Sequence, residues 1–462
     1  MDIIITIVYA AKAVFTTIEG SQSGGEIFPI FQHVLPLFLF MIFAAALVSS
    51  RIKVPYTMVL VAFGIAISFI SFGGLLNIEN TGKFRIDPRL IINLIIPPLI
   101  FEAMMKVNYK EFKAVRISSI LLATVGVVLA TIVAGTLLTY AAGLNFIIAF
   151  TFAALIAPTD PAIVIEIFKR VRVPKQLSTL MEFEASFNDA TGLIIFSSVV
   201  ALVFVGSSSA SNTLLSSSTT TSTSTNSPIL SHFNLIVSQT EHFAIVFLGG
   251  GAVGLGIAAA THRLHALMND PFSETALTVA TAFGSVTAAN SLGFSGLVAV
   301  AVAGLYFGNI TIRQEAYLSL KTRLSVFNFW EIIAFFANSI AFLYLGISMN
   351  IVNMGKDLPL IALSFAAVLV ARIGSTYPIL AAVNRFTKEK IPMVWRHIVV
   401  LGGMRGAISV ALVASLPESN FKGTISTITF GVVLLSLIVQ YIGLTKYVNK
   451  VFPKEKSGNV TI

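Results

Sequence analysis

Long apolar runs recur along the whole chain and limit the folds that it can adopt. An α-helix needs about 17 to 25 apolar residues to cross the hydrocarbon core of a bilayer. Thirteen runs of this kind lie near 27–50, 54–77, 89–108, 117–141, 144–168, 176–206, 241–262, 273–291, 294–309, 329–352, 358–384, 393–416 and 424–447. Only 11% of the residues are charged, whereas a soluble domain has about 25%. The pattern therefore predicts an all-α polytopic membrane protein.

The basic residues set the orientation of these runs. The loops after the odd-numbered runs, together with the C-terminal tail, carry 22 Lys and Arg residues, whereas the loops after the even-numbered runs carry 5. Basic loops remain on the cytoplasmic side of a membrane. We therefore expect a multi-pass plasma membrane protein with its N-terminus outside and its C-terminus in the cytoplasm. The net charge of +9 then faces anionic lipid of the bilayer, and no nucleic-acid partner is needed to explain it.

The chain has no cysteine and few candidate metal ligands. Without cysteine, disulfides, thiolate chemistry and Cys-based metal sites are excluded. The six histidines are scattered, and none of them pairs at metal-ligand spacing. We therefore expect no cofactor.

A Ser/Thr-rich stretch, 207–240, divides the runs into six before it and seven after it. Low complexity of this kind favours a flexible extracellular linker, and a glycosylated surface loop is the alternative. If 241–262 is a connecting helix, a first repeat of 27–206 matches a second repeat of 263–448. The offset of seven helices is odd, so matched helices run in opposite directions, as in the inverted repeats of many transporters.

The two ends of the chain complete this division. Residues 1–26 form an extracellular or interfacial segment, for which a frayed tail is the alternative. A signal peptide is disfavoured because Lys12 lies inside the apolar run and no cleavage site stands out. Residues 449–462 form a cytoplasmic tail.

The fifth and twelfth runs both contain helix-breaking residues. The fifth is interrupted by Ala-Pro-Thr-Asp-Pro at 157–161, and the twelfth contains Gly-Gly-Met-Arg-Gly at 402–406. Each proline leaves a carbonyl one turn earlier without its helical donor. A bound cation can satisfy such a carbonyl, and a proline kink satisfied by neighbouring side chains is the alternative. Interrupted helices at matching positions of two repeats indicate a transport site.

Two aspartates fall near the middle of the predicted membrane. Asp160 lies nine residues before Lys169, about 13–14 Å along a helix, and Asp189 lies fourteen residues after Lys175, about 21 Å. The hydrocarbon core is roughly 30 Å thick. A short loop joins the fifth and sixth helices, so we expect them to be antiparallel neighbours whose acids converge. Acids at this depth are candidates for function.

The sixth run places Ser186 and Asp189 on one helix face. Their oxygen atoms suit a hard cation. A carboxylate in a low-dielectric site holds a proton more readily than in water, so it can exchange a proton for a monovalent cation. A cation channel would need a continuous pore, and an intramembrane aspartyl protease would need two acids sharing one proton. The helix breaks and the repeat favour exchange by alternating access.

The other charges within the runs need partners. The depths of Glu184 and Arg405 match, which predicts an ion pair between the sixth and twelfth helices, with Arg372 as a competing partner. Glu102 is either an outer member of the cation path or an acid that reaches the cytoplasmic interface. The acids that we expect at the mouth of the site or at the interface are Glu166, Glu182 and Glu331.

Several long motifs, in this order along the chain, resemble the monovalent cation:proton antiporters, specifically the NhaP/NHE-type sodium/proton exchangers. They are IIPPLIFEA (95–103), APTDP (157–161), FNDATG (187–192), SGLVAVAVAGLYFG (295–308), FWEIIAFFANSIAFLYLGI (329–347) and LGGMRGAISVALVASLP (401–417). The resemblance implies an NhaA-like fold of about 13 helices in two inverted six-helix repeats, with discontinuous helices 5 and 12. It also implies a homodimer that exchanges Na⁺ or Li⁺ for H⁺ in pH homeostasis.

The same resemblance assigns roles to individual residues. The cation is bound by the Thr159 carbonyl, Asp160 and Asp189, and Asp189 is the main proton carrier. Asn188 stands where electrogenic relatives have a second Asp, which implies electroneutral one-for-one exchange. Glu102 resembles an acid that reaches the cation through water.

One position departs from the family pattern. The family often has Glu-Ser-x-Phe-Asn-Asp, whereas this chain has Ala185 at the serine position and a serine one place later. Ser186 is turned by about 100° from the expected direction on a helix, so either it substitutes, or water or Thr159 fills the gap. A K⁺/H⁺ antiporter on the same scaffold is therefore the alternative. Glu184 with Arg405 matches the structural pair of the family.

Overall fold

Helices account for most of the chain that the structure describes. This computed structural model describes residues 35–52, 54–72, 91–200, 228–265, 268, 270–312, 319–347, 349, 351–416 and 419–453. The helices, in chain order, are α1 Leu35–Ile52, α2 Tyr56–Phe72, α3 Ile96–Lys106, α4 Tyr109–Ala141, α5 Phe146–Ile156, α6 Ala162–Arg170, α7 Lys175–Val200, α8 Pro228–His265, α9 Pro271–Ser291, α10 Gly296–Thr311, α11 Leu320–Ile347, α12 Ile351–Lys356, α13 Leu358–Phe386, α14 Met393–Leu401, α15 Ala407–Ser415 and α16 Lys422–Val451. The predicted segment 1–26 lies outside the described residues.

The apolar runs coincide with helices throughout these ranges, and the predicted all-α class is confirmed there. Five of the described helices are long and apolar enough to cross a membrane, namely α4, α8, α11, α13 and α16. Shorter apolar helices include α1, α2, α5 and α10. The total of thirteen spanning segments stays a prediction.

Short polar motifs fix where several helices begin. Asn108 caps α4 by accepting from the Lys110 amide at 3.0 Å, and Asn145 caps α5 in the same way. Such caps satisfy amides that have no acceptor within the helix. Gly293, at φ +76°, makes the tight turn between α9 and α10, because only glycine adopts that conformation without strain.

The outer surface of the bundle is strongly apolar. Large side chains such as Phe43, Leu248, Phe386 and Ile442 are exposed. A soluble protein rarely exposes apolar surface on this scale. Lipid contact accounts for it, in agreement with the apolar runs.

One boundary differs from the sequence prediction. The helix that we expect at 241–262 begins at Pro228 and continues to His265 as the 38-residue α8. It therefore includes the last part of the predicted 207–240 loop. Proline is favoured at the first position of a helix, and the polar residues that follow Pro228 reduced the hydropathy on which the prediction rested. A helix of this length spans about 57 Å, which exceeds the thickness of a bilayer.

Close helix contacts depend on glycine at the points where backbones meet. A Cβ atom added to Gly254 of α8 would lie 2.1 Å from the carbonyl oxygen of Ala299 on α10. One added to Gly64 of α2 would lie 2.8 Å from the Cα atom of Gly346 on α11. Small residues allow this approach, which is the usual basis of helix packing in membranes.

Aromatic side chains fill the space between α3, α10 and α11. The ring of Phe101 lies 4.5 Å from that of Trp330 and 6.1 Å from that of Phe307, measured between centroids. All three are fully buried. The indole Nε1 of Trp330 donates to Thr278 Oγ1 at 2.8 Å, so its polar atom is also satisfied. These three helices are thus packed together through buried aromatic side chains.

A buried acid in the connection between α13 and α14 binds α4. The Glu389 carboxylate accepts from the amides of Ile117 and Ser118 at 2.8 and 2.9 Å, and from the Ser118 hydroxyl at 2.7 Å. Charge-assisted hydrogen bonds of this kind are stronger than neutral ones. Glu389 therefore fixes α4 against the helices that follow α13.

Two glycines of α8 provide a matched test of the glycine contacts. The methyl group of Gly254→Ala would overlap the Ala299 carbonyl, so we expect the free energy of unfolding to fall by about 1–3 kcal/mol. A Cβ atom at Gly256 meets nothing within 4 Å, so Gly256→Ala should be neutral or stabilising by up to about 1 kcal/mol. Thermal unfolding in detergent, followed by tryptophan fluorescence, measures both. Equal melting temperatures for the two variants would contradict the packing.

Candidate functional site

The two interrupted segments meet inside the bundle. No helix is present at 157–161, between α5 and α6, or at 402–406, between α14 and α15. The amide of Asp160 donates to the carbonyl oxygen of Met404 at 2.8 Å. A Cβ atom at Gly406 would lie 2.1 Å from Asp160 Oδ2, so only glycine fits there. The two breaks are therefore in direct backbone contact.

The guanidinium of Arg405 binds two backbone carbonyls of the first break, one of which loses its helical donor to a proline. Its Nη1 atom donates to the carbonyl oxygen of Ala157 at 2.5 Å and to that of Pro158 at 3.0 Å. The carbonyl of Ala157 is the one that Pro161 cannot satisfy, because proline has no amide hydrogen. The amide of Arg405 donates to Ser436 Oγ on α16 at 3.1 Å. Arg405 thus binds the first break from within the second.

The ion-pair partner of Glu184 is Arg372 on α13. The two groups form a bidentate contact, with Nη1–Oε1 at 2.8 Å and Nη2–Oε2 at 2.9 Å. Glu184 is fully buried and Arg372 is 5% exposed. The predicted pairing of Glu184 with Arg405 is therefore wrong, and the competing partner is the one that binds. Matched depth along two helices did not specify which side of each helix faces the other.

Asn188 joins the ion pair to the first break. Its Oδ1 atom accepts from the Thr159 amide at 3.2 Å, and its Nδ2 atom donates to Thr159 Oγ1 at 2.7 Å. The same Nδ2 group donates to Glu184 Oε1 at 3.0 Å. Asn188 is fully buried. The amide therefore fixes the position of Thr159 against α7.

A cavity of about 420 Å³ brings the predicted ligand residues together. It is lined by Glu102, Thr159, Asp160, Ser186 and Asp189. One wall is formed by α2, α3 and α11, and the other by the two breaks with α6, α7 and α15. The cavity thus lies along the boundary between two groups of helices.

The two aspartates are held differently within this cavity. Asp160 Oδ1 accepts from the Ala162 amide at 2.8 Å, so one of its oxygen atoms is bound to the first residue of α6. No hydrogen bond or ion pair holds the Asp189 carboxyl group among the residues that the structure describes. Asp189 is nevertheless only 8% exposed. Its oxygen atoms are therefore free to bind a proton or a cation in the cavity.

Ser186 faces the cavity, although its neighbour occupies the position where the family pattern has serine. Ser186 is among the lining residues together with Asp189, three residues later on α7. Ala185 is 1% exposed and lies outside the lining. The serine that the chain possesses is thus the one turned towards the carboxylates.

Charged residues surround the open end of the cavity. Glu102 forms an ion pair with Lys106, and Lys106 lies 3.8 Å from Glu331. Glu166 and Glu182 also line this end. Glu102 therefore has features of both expectations, since it lines the cavity and contacts a lysine at its rim.

Three uncharged residues of the cavity were missed from the sequence. Tyr56 and Thr57, at the start of α2, and Ser409, on α15, all line it. The hydroxyl of each is buried without a hydrogen-bond partner among the described residues. Tyr56 and Thr57 carry no charge in an apolar run, so no sequence signal marks them. Ser409 lies within the motif that contains Arg405, so a hydroxyl group next to the second helix break is the sequence signal that could have identified it.

The donor set of the cavity consists of oxygen atoms. In the described part of the chain, no group of three or more His, Asp and Glu side chains is arranged to hold a metal ion. Carboxylate and hydroxyl oxygens suit a hard cation.

An apolar helical bundle with a cavity of carboxylate and hydroxyl oxygens at the contact of two helix breaks is typical of one class of protein, the polytopic membrane transporters of small ions. Residues 37–450 match the family model described as "Sodium/hydrogen exchanger, transmembrane". The chain belongs to this sodium/hydrogen exchanger family, as the motifs predicted. It is therefore a transporter and not an enzyme.

Individual relatives agree with this assignment. The low-affinity Na⁺/H⁺ antiporter NhaS1 of Synechocystis sp. is 33% identical over 398 residues, which cover 85% of this chain and 68% of that protein. The Na⁺/H⁺ antiporter NhaP of Pseudomonas aeruginosa is 30% identical over 388 residues, which cover 81% of this chain and 84% of that protein. The solved structure of the sodium proton antiporter MjNhaP1 from Methanocaldococcus jannaschii superposes with a TM-score of 0.68 at 19% identity. The superposition covers 91% of this chain and 98% of the MjNhaP1 chain, so the two proteins share a fold.

The buried ion pair provides a test of the network behind the site. Arg372→Ala would leave Glu184 charged, buried and without its partner, so we expect a loss of about 3–5 kcal/mol in the free energy of unfolding. The matched control is Arg170→Ala on α6. Arg170 forms an ion pair with Glu166 that is more exposed than the Glu184–Arg372 pair, so its loss should lower the free energy of unfolding by at most about 1 kcal/mol. Melting temperatures in detergent measure both. A shift in Arg372→Ala no larger than in the control would contradict the structural role of the pair.

Proposed function

We propose that the protein exchanges Na⁺ or Li⁺ for H⁺ across the plasma membrane by alternating access, with one proton for each cation, in pH homeostasis. The observation that carries the proposal is the cavity in which Thr159, Asp160, Ser186 and Asp189 converge at the crossing of two helix breaks. The relatives support Na⁺ over K⁺, because those that match are named Na⁺/H⁺ antiporters.

Competition for one carboxyl group is sufficient for the exchange. Asp189 lacks a fixed partner among the described residues, so it binds either a proton or a cation. Thr159, Asp160 and Ser186 complete the oxygen ligands when the cation is bound, and Glu102 acts through water from the outer part of the cavity. Because proton and cation exclude each other at Asp189, each step across the membrane carries one or the other.

Electroneutral stoichiometry is supported by the role of Asn188. Asn188 stands where electrogenic relatives have a second acid. Its amide binds Thr159 and Glu184, and an amide cannot carry a proton as a carboxyl group does. The charges of Glu184 and Arg372 neutralise each other within a buried pair. Asp189 is then the group that alternates between a proton and a monovalent cation, so no net charge moves.

The architecture that accompanies this mechanism has thirteen spanning segments. Two inverted repeats, 27–206 and 263–448, are joined by the connecting helix, and the fifth and twelfth segments are discontinuous across the membrane. The N-terminus lies outside the cell, and the C-terminal tail, 449–462, lies in the cytoplasm. The two lysines that line the cavity, Lys106 and Lys169, then face the cytoplasm. Alternating access then requires one group of helices to move against another. The two breaks move together with α6, α7 and α15, against α2, α3 and α11. This motion closes the cavity on one side of the membrane and opens it on the other. A homodimer is the expected assembly.

Exchange in sealed proteoliposomes tests the proposal. We expect Na⁺ and Li⁺ gradients to drive proton movement, measured with a pH-sensitive dye, and K⁺ to drive much less. Asp189→Asn removes the carboxyl group that protons and cations share, so exchange should be lost. Glu331→Gln removes an acid that is exposed at the rim and serves as the control, which should retain exchange.

Two results would contradict the proposal. If Asp189→Asn exchanges at the normal rate, Asp189 is not the proton carrier. If the unaltered protein moves protons with none of the three cations, or conducts ions without coupling as a channel does, the exchange reaction itself is wrong.

A further inference from the structure

The hydroxyl group of Ser409 is buried and unsatisfied in the wall of the cavity. Ser409 is 1% exposed, and its Oγ atom has no hydrogen-bond partner among the described residues. A buried hydroxyl group without a partner loses the hydrogen bonds that it makes in water. The cavity that Ser409 lines also contains Asp160 and Asp189. A buried oxygen without a protein partner, beside two carboxylates, is suited to bind a cation that enters the cavity.

The helix break explains why this hydroxyl group is free. Buried hydroxyl groups on regular helices bind a carbonyl one turn earlier, as Thr191 binds Phe187 at 3.0 Å and Ser285 binds Thr281 at 2.6 Å. Ser409 is the third residue of α15, and the backbone one turn earlier lies in the break. The usual acceptor is therefore not in helical position.

The first turn of α15 brings Ser409 close to Asp160. Gly406, the residue just before α15, packs directly against the Asp160 carboxylate, and Ser409 lines the same cavity as Asp160. Ser186 and Asp189 approach the same cavity from α7. Side-chain oxygens thus reach the cavity from the first break, from α7 and from α15.

We propose that the Ser409 Oγ atom is a ligand of the transported cation. It supplies a neutral oxygen from the second repeat, at a site whose family pattern places a serine where this chain has Ala185. The assignment rests on the proposed exchange function. Because the hydroxyl group contacts the cation and not the proton, its loss weakens cation binding and leaves the proton-bound half of the cycle intact.

Transport kinetics separate this role from a structural one. Ser409→Ala should raise the KM for Na⁺ about tenfold, as expected for the loss of one neutral polar contact, with the maximal rate and melting temperature little changed. Ser409→Thr retains the hydroxyl group and should keep a KM close to that of the unaltered protein. Ser285→Ala makes the same chemical change at a buried, satisfied serine of α9 and should leave KM unchanged.

Thiol modification gives an independent measurement. The natural chain contains no cysteine, so Ser409→Cys introduces the only thiol of the protein. A small methanethiosulfonate reagent should modify it through the cavity, and Na⁺ should slow the modification over the concentration range that saturates transport. This measurement remains available if Ser409→Ala fails to insert in the membrane.

The ligand assignment is overturned if Ser409→Ala keeps the normal KM for Na⁺, if it lowers only the maximal rate, or if Na⁺ leaves the rate of thiol modification unchanged. Failure of the proposed function gives a different result, since the unaltered protein would then show no exchange with any cation. Normal exchange in the unaltered protein together with a normal KM in Ser409→Ala rejects the ligand role alone.

Discussion

A backbone carbonyl inside a bilayer must find its donor within the protein, because hydrocarbon offers none. Pro158 and Pro161 remove helical donors from the middle of a membrane segment, and the site depends on how that deficit is met. Arg405 meets part of it by donating to the carbonyl of Ala157, which Pro161 leaves without a donor, and it also binds the carbonyl of Pro158. The Asp160 amide donates in turn to the second break. The two interruptions are thus complementary, since each supplies groups that the other lacks.

This arrangement separates charges that hold the structure from charges that are available for binding. The Glu184–Arg372 pair is bidentate and buried, and the Nη1 atom of Arg405 donates to backbone carbonyls. Asn188 donates hydrogen bonds to both Glu184 and Thr159, so it connects the ion pair to the first break. Asp189 is left without such a commitment within the described residues. This difference in their contacts is the basis for proposing Asp189 as the group that protons and cations share.

The features that depend only on position along the chain could be predicted from the sequence. Apolar length predicted the helices, the prolines predicted the first break, and depth along the chain placed Asp160 and Asp189 in one cavity. The sequence prediction failed where rotation about a helix axis decides the contact, as with Arg405 and Arg372, whose depths both allow a partner for Glu184. The capture of α4 amides by Glu389 depends on a tertiary contact, so no local pattern predicts it.

The same limit applies to the wall of the cavity that faces the carboxylates. Tyr56 and Thr57 lie at the start of an apolar helix, and nothing in their immediate sequence separates them from residues that face lipid. Only the packing of α2 against α11 turns them inward. Cavity residues of this kind are found in the structure as buried polar atoms that lack partners.

The central claim is that one proton and one Na⁺ compete for the Asp189 carboxyl group. Proton release during Na⁺ binding tests it most directly, measured by calorimetric titration of the purified protein in two buffers that differ in ionisation enthalpy. When the titration starts from the protonated protein, the account predicts one proton released for each Na⁺ bound, and none from Asp189→Asn. Saturable Na⁺ binding to the protonated protein without proton release would contradict it.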